Sequence, residues 1–141
     1  RGSLRRAPLA QESALGEWET LAPPAQVTLI AAGRMVETAL AACAGLPIGV
    51  VSARFIKPLD HKTLDAVRET SKLVVTLEDG VVEGGLGTAV RAYYDGSPRV
   101  VALGIPEAPV PHATIAEQDE MCGITPEQVR RRVLRALEEL L

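Results

Sequence analysis

A chain of 141 residues has room for one domain of ordinary size and not comfortably for two. Hydrophobic residues make up 47% and charged residues 23%, the globular range, which argues against disorder. Fifteen basic against 18 acidic side chains leave a net charge of −3, so no overall basic field draws nucleic acid, and the apolar runs are too short and broken to cross a membrane. Cys43 and Cys122 stand far apart with no ligand at metal spacing, which gives neither a zinc cluster nor a disulfide framework. Reduced thiols and the lack of a charged-then-apolar leader lead us to expect a cytoplasmic protein. Asn is absent and Arg outnumbers Lys twelve to three, a lean toward a heat-adapted source. The sequence opens on Arg1, and we expect a cut or tagged piece of a longer protein.

In chain order, residues 1–25 form a linker and edge-strand segment. Arg1 to Leu15 mix charge, Ser, Ala and Pro without period, and Gly16 to Leu21 alternate as a short edge strand that Pro23-Pro24 stops. The domain proper is expected over residues 26–141. Val27 to Ala32 is a buried strand, Arg34 to Ala44 a helix, and Ile48 to Ala53 a second buried strand. Asp60 can cap a helix over His61 to Thr70 with Leu64 and Val67 inward. Lys72 to Leu77 is a third strand, a glycine-rich turn leads to a helix from about Gly87 to Tyr94, and Val100 to Leu103 is a fourth strand. The final helix opens with Thr125 as cap, Pro126 at its first position and Gln128 closing a capping box. Apolar strands alternating with helices imply an α/β fold. We expect three α/β/α layers around a mostly parallel five-stranded sheet, with the Trp18 segment as one antiparallel edge strand.

In such sheets ligands and partners meet the carboxyl ends of the strands. That edge should carry Gly33, Arg54, Phe55, Glu78, Asp79, Gly80 and Gly104. Glu78 and Asp79 read either as catalytic carboxylates or, with Arg54 from a neighbouring strand, as a structural or interface ion pair; without a nucleophile or metal ligand the second reading leads. The turn Gly80-Val81-Val82-Glu83-Gly84-Gly85-Leu86-Gly87 reads either as an anion cradle at a helix start or as close packing of that helix on the sheet. It has no Lys in phosphate-loop position and lacks the third Gly of a dinucleotide fingerprint. His61 reads as an exposed helix-start residue. His112 lies in a proline-held extended stretch, with no Ser or Cys beside it to serve. Arg130 to Arg132 with Arg135 share their helix with Glu127, Glu138 and Glu139 and read as a solvated face. These parts alone assemble no enzyme.

The run Arg54-Phe55-Ile56-Lys57-Pro58-Leu59-Asp60 closely resembles the C-terminal domain of the transketolase superfamily, and within it the 1-deoxy-D-xylulose-5-phosphate synthases. Val75 to Asp79 running into Gly84-Gly85-Leu86-Gly87, Leu103 to Glu107, and Cys122 to Thr125 agree in order and spacing, so the resemblance spans Gln26 to Leu137. Pyruvate dehydrogenase β subunits share Pro-Leu-Asp and Gly-Gly-x-Gly but usually lack the Phe55-Ile56-Lys57 context and the Leu-Gly-Ile-Pro segment. The resemblance implies a parent enzyme that joins pyruvate to glyceraldehyde 3-phosphate with loss of carbon dioxide. Thiamine diphosphate and Mg2+ would sit between two preceding domains, and the C-terminal domain would support a homodimer. It also implies a five-stranded mixed sheet.

Two departures qualify what carries over. The family holds its cofactor with Gly-Asp-Gly followed by an Asn that ligates magnesium; this chain has no Asn, and Glu78-Asp79-Gly80 is no substitute. The activating glutamate belongs to a preceding domain. The expectation is therefore a chain that binds no cofactor, holds no metal and has no catalytic residue of its own. Arg54, Phe55, Glu78, Asp79, Gly84, Gly85 and Gly87 would form its contact edge. Arg1-Gly2 matches the end of a family Tyr-Pro-Arg-Gly run, which would make Arg1 a phosphate contact in the intact enzyme only. The alternatives are an autonomous anion- or nucleotide-binding module using Gly80 to Gly87, or the equivalent domain of a transketolase or pyruvate dehydrogenase β subunit.

Overall fold

The computed structural model describes residues 17–82, 84–105 and 112–140. Apolar runs form the strands: β1 (Glu19–Ala22), β2 (Val27–Ala31), β3 (Gly49–Ser52), β4 (Leu73–Val81) and β5 (Arg99–Ile105). They make one five-stranded sheet in the order β1-β3-β2-β4-β5. β1 runs antiparallel to β3, and every other pairing is parallel. The expected mixed sheet with one antiparallel edge is what the chain builds.

Three helices connect the parallel strands, α1 (Met35–Cys43), α2 (His61–Thr70) and α3 (Leu86–Tyr94), and two more, α4 (Ile115–Cys122) and α5 (Pro126–Leu140), follow β5. The step from β2 to β3 runs one way across the sheet, while β3 to β4 and β4 to β5 run the other way. Right-handed crossovers then put α1 on one face and α2 and α3 on the other. The core divides accordingly. Met35, Ala39, Ala42 and Cys43 of α1 pack with Val129, Val133 and Ala136 of α5 on one face. Leu64 and Val67 of α2 pack with Leu86, Val90 and Tyr94 of α3 on the other, joined by Trp18. These layers are the α/β/α arrangement that the alternation of strands and helices implies.

Three helix starts follow from local chemistry. Asp60 accepts from the Thr63 backbone at 3.0 Å and from its hydroxyl at 2.7 Å, capping α2. Thr125 and Gln128 form the expected reciprocal box before α5. Thr114 and Glu117 make the same box before α4, a helix that the periodicity does not reveal. His112 is exposed with φ of 65°, a left-handed turn residue rather than part of an extended stretch, and Pro109 to Pro111 lie outside the described residues. Arg130 is more than a solvated surface charge. Its guanidinium donates to the Ala42 and Ala44 carbonyls at 3.1 and 2.9 Å, closing the C-terminal end of α1.

Candidate functional site

The carboxyl ends of β2, β3 and β4 bring most of the anticipated residues to one edge. β4 and β5 pair in register through Leu77 and Leu103, then Val81 meets Ile105, so four steps on β4 match two on β5. This bulge carries Glu78, Asp79 and Gly80 and turns the two adjacent acids to different tasks.

Glu78 is buried, only 4% exposed. Its Oε1 accepts from the Leu86 backbone N–H and its Oε2 from that of Gly87, both at 2.9 Å. The carboxylate therefore sits on the N-terminal end of α3, where unpaired N–H groups and the helix dipole favour an anion. Sequence reasoning pairs Glu78 with Arg54; the structure gives both of its oxygens to α3 instead. Two glycines make the seat. A Cβ on Gly87 would lie 2.6 Å from the Ala102 methyl and 2.9 Å from the Thr76 hydroxyl, and one on Gly104 would lie 2.8 Å from Val82 and 3.1 Å from the Glu78 side chain. Gly84, with φ of 78°, makes the turn, and Gly85 precedes α3 in extended conformation. The glycine-rich loop is thus built around the chain's own carboxylate.

Asp79 faces outward. It accepts from Arg34 Nε at 3.1 Å, while the other two nitrogens of the same guanidinium grip Asp119 of α4 at 2.9 and 2.8 Å. Bonding to Asp119 raises the Arg34 pKa against the opposing effect of burial, and Asp79 adds to it. This bridge ties α4 to the edge, and Arg34 is the residue that sequence reasoning missed. Its partners lie 45 and 85 positions away, so no local signal announces them. Arg54 and Phe55 follow β3 and are exposed, Phe55 by 40%. The Phe55 carbonyl accepts from Trp18 Nε1 at 2.7 Å, which fixes the backbone under that exposed ring. Arg1 lies outside the described residues.

The other sequence candidates stand apart from this edge. His61 stacks on Tyr93 with ring centroids 4.5 Å apart, and Tyr93 donates to Asp65 at 2.6 Å. Tyr94 donates to the Leu64 carbonyl at 2.7 Å, and burial pushes its phenol pKa well above the ordinary value. Burial likewise pushes the Cys43 thiol up to about 11, although the nearby Arg130 charge opposes the rise.

A bound diphosphate and its cation do not fit this arrangement. The anion seat at α3 is filled by Glu78, the adjacent Asp79 would repel a phosphate, and among the described residues no three His, Cys, Asp or Glu side chains converge on a metal position. No helix among the described residues is long and apolar enough to cross a membrane.

The layered mixed sheet, with Glu78 capping α3 and Arg34 bridging Asp79 to Asp119 at its carboxyl edge, defines an α/β/α domain with one antiparallel edge strand. The chain belongs to the transketolase C-terminal domain family, whose model matches residues 16–129. Among curated proteins it is 32% identical to the 1-deoxy-D-xylulose-5-phosphate synthase of Clostridium tetani over 130 residues, covering 86% of this chain and 21% of that protein. It is 36% identical to the synthase of Synechococcus sp. (strain JA-3-3Ab), covering 99% and 23%. The chain thus spans about a fifth of the length of these relatives. Among solved structures, the inactive β4 tetramer of a split-gene transketolase matches with a TM-score of 0.78 and 27% identity over 97% of this chain and 50% of that one. A transketolase mutant from Pichia stipitis, at 17% identity and TM-score 0.61 over 95% of this chain and 21% of that one, shares the fold.

Proposed function

We propose that this chain is the C-terminal structural domain of a thiamine-diphosphate-dependent 1-deoxy-D-xylulose-5-phosphate synthase. The parent would join pyruvate to glyceraldehyde 3-phosphate, releasing carbon dioxide, in the service of isoprenoid synthesis. The chain itself would bind no cofactor and turn nothing over. Its carboxyl edge, through Arg54, Phe55, Asp79 and the Gly84 to Gly87 turn, would abut the preceding domains within a homodimer. The names of the relatives support the reaction, and the inactive split-gene tetramer is a precedent for an assembly without activity.

The observation that carries this reading is Glu78 on the N-terminus of α3. An anion-binding module built on Gly80 to Gly87 needs those N–H groups, and they are already engaged by a buried carboxylate. Phe55 supports the contact role, since an exposed aromatic ring on a fixed backbone suits an interface.

The test mixes the chain with a 1-deoxy-D-xylulose-5-phosphate synthase deleted of its own C-terminal domain. The chain alone, supplied with both substrates, thiamine diphosphate and Mg2+, should form no product. A complex should form in trans and be weakened by Phe55→Asp by about tenfold or more. Product from the chain alone, or a complex indifferent to Phe55→Asp, refutes the proposal.

A further inference from the structure

Far from the carboxyl edge, a cleft of about 320 Å³ opens between α5 and the starts of β4 and β5. Register places Leu73 beside Arg99 and Val75 beside Val101. Strand alternation brings these four side chains out on one face, and Leu73 and Val75 belong to the core cluster shared with α5. Leu73, Val75 and Val101 form an apolar floor. Arg132 and Arg135, three positions apart on α5, reach the same opening as Arg99.

These three arginines are exposed, and among the described residues none makes an ion pair or a side-chain hydrogen bond. Arg34, Arg68, Arg91 and Arg130 each do. Glu139 is the one acid in the lining, so a local excess of two positive charges gathers on a chain whose net charge is −3. Like charges held around one hollow repel until an anion joins them.

We infer that this cleft binds a small organic phosphate, with Arg99, Arg132 and Arg135 on the phosphoryl oxygens and Leu73, Val75 and Val101 under an apolar ring or short chain. A guanidinium matches phosphate oxygens bidentately, and a phosphate dianion balances the local excess where a carboxylate does not. The volume lies near the lower end of small-molecule sites, about 300–1,000 Å³, which suits a monophosphate ester rather than a nucleotide or a peptide. The site is remote from the edge assigned to subunit contact and does not depend on that assignment.

The probe is phenyl phosphate, titrated into the full chain and followed by amide chemical shifts, with inorganic phosphate, benzoate and phenol alongside. Saturable shifts should centre on residues 73–75, 99–101 and 132–139, with a Kd of about 0.1–1 mM for phenyl phosphate and weaker binding of the other three. Arg132→Glu with Arg135→Glu, both exposed, should weaken binding about tenfold or more, while Arg131→Glu, outside the cleft, leaves Kd within about twofold. Unchanged shifts at residues 76–80 verify that the variants fold. Absence of saturable shifts, shifts centred elsewhere, phenol or benzoate binding as tightly, or charge reversal without effect overturns the inference. Displacement of the probe by an oligoglutamate peptide at lower concentration also overturns it and reassigns the cleft to a protein partner.

Discussion

Two adjacent acids, Glu78 and Asp79, should differ sharply in what loss of their charge costs. Replacing Glu78 by Gln keeps the shape and one carbonyl oxygen but turns an amide nitrogen toward α3. One of the two N–H groups at 2.9 Å then meets a donor instead of an acceptor. A buried donor left without a partner costs about 1–3 kcal/mol. Loss of a negative charge at a buried helix N-terminus adds about 1 kcal/mol. We therefore expect Glu78→Gln to destabilise the domain by about 2–4 kcal/mol, a large share of the roughly 5–15 kcal/mol that folded domains possess. Asp79→Asn removes an exposed contact, both side chains being more than 40% accessible, and should cost about 1 kcal/mol or less. Urea unfolding followed by circular dichroism reads the difference directly. With a urea slope of about 2 kcal/mol per molar, the Gln variant should unfold about 1–2 M earlier at unchanged slope. Equal midpoints for the two variants would refute the assignment of Glu78 as the α3 cap.

Three further outcomes follow from buried polar atoms. The Thr76 hydroxyl is buried without a hydrogen-bond partner, so Thr76→Val should raise stability by about 1 kcal/mol and Tm by a few degrees; a lowered Tm contradicts the geometry. Burial would raise the Asp60 pKa, but hydrogen bonds from the Thr63 side chain and from the Trp18 and Thr63 backbones outweigh it and hold the carboxyl below its ordinary value. A depressed folded-state pKa stabilises above the unfolded value and is lost as pH falls through the folded one. Asp60→Asn should therefore be less stable than the parent at neutral pH by about 1–3 kcal/mol, with the gap narrowing below about pH 4; a gap constant down to about pH 2 contradicts this. Cys43 is buried, with its thiol pKa pushed up to about 11. At pH near 8 in the folded protein a thiol-specific reagent should label Cys122 and spare Cys43 until denaturant is added; equal labelling of both refutes the burial of Cys43.

The layers were legible because one physical signal wrote them. Runs such as Val27 to Ala31 and Gly49 to Ser52 lie in the buried interior of the sheet and need no polar alternation, and Asp60 and Thr125 announce their helices through a cap three residues wide. α4 escaped because none of its residues is buried, so no apolar stripe exists to be counted. The pattern Thr114-x-x-Glu117 was its available signal. The edge was legible only as a set of residues. Which acid would turn inward depended on the bulge after Leu77 and on Gly87 and Gly104 leaving space for Glu78. Arg34 drew its partners from opposite parts of the chain, and Arg130 met α1 across 88 residues. Periodicity records which face a residue takes, not which distant carbonyl it will find.

The meeting of α1 with α5 sets an order on biosynthesis. Ala39, Ala42 and Cys43 share their cluster with Val129, Val133 and Ala136, and the last carbonyls of α1 wait for Arg130. On a ribosome that emits the N-terminal half first, this oily flank stays bare while some ninety residues are polymerised, and it finds its cover only when the final helix leaves the exit tunnel. A nascent chain stalled before α5 would be a client for chaperones.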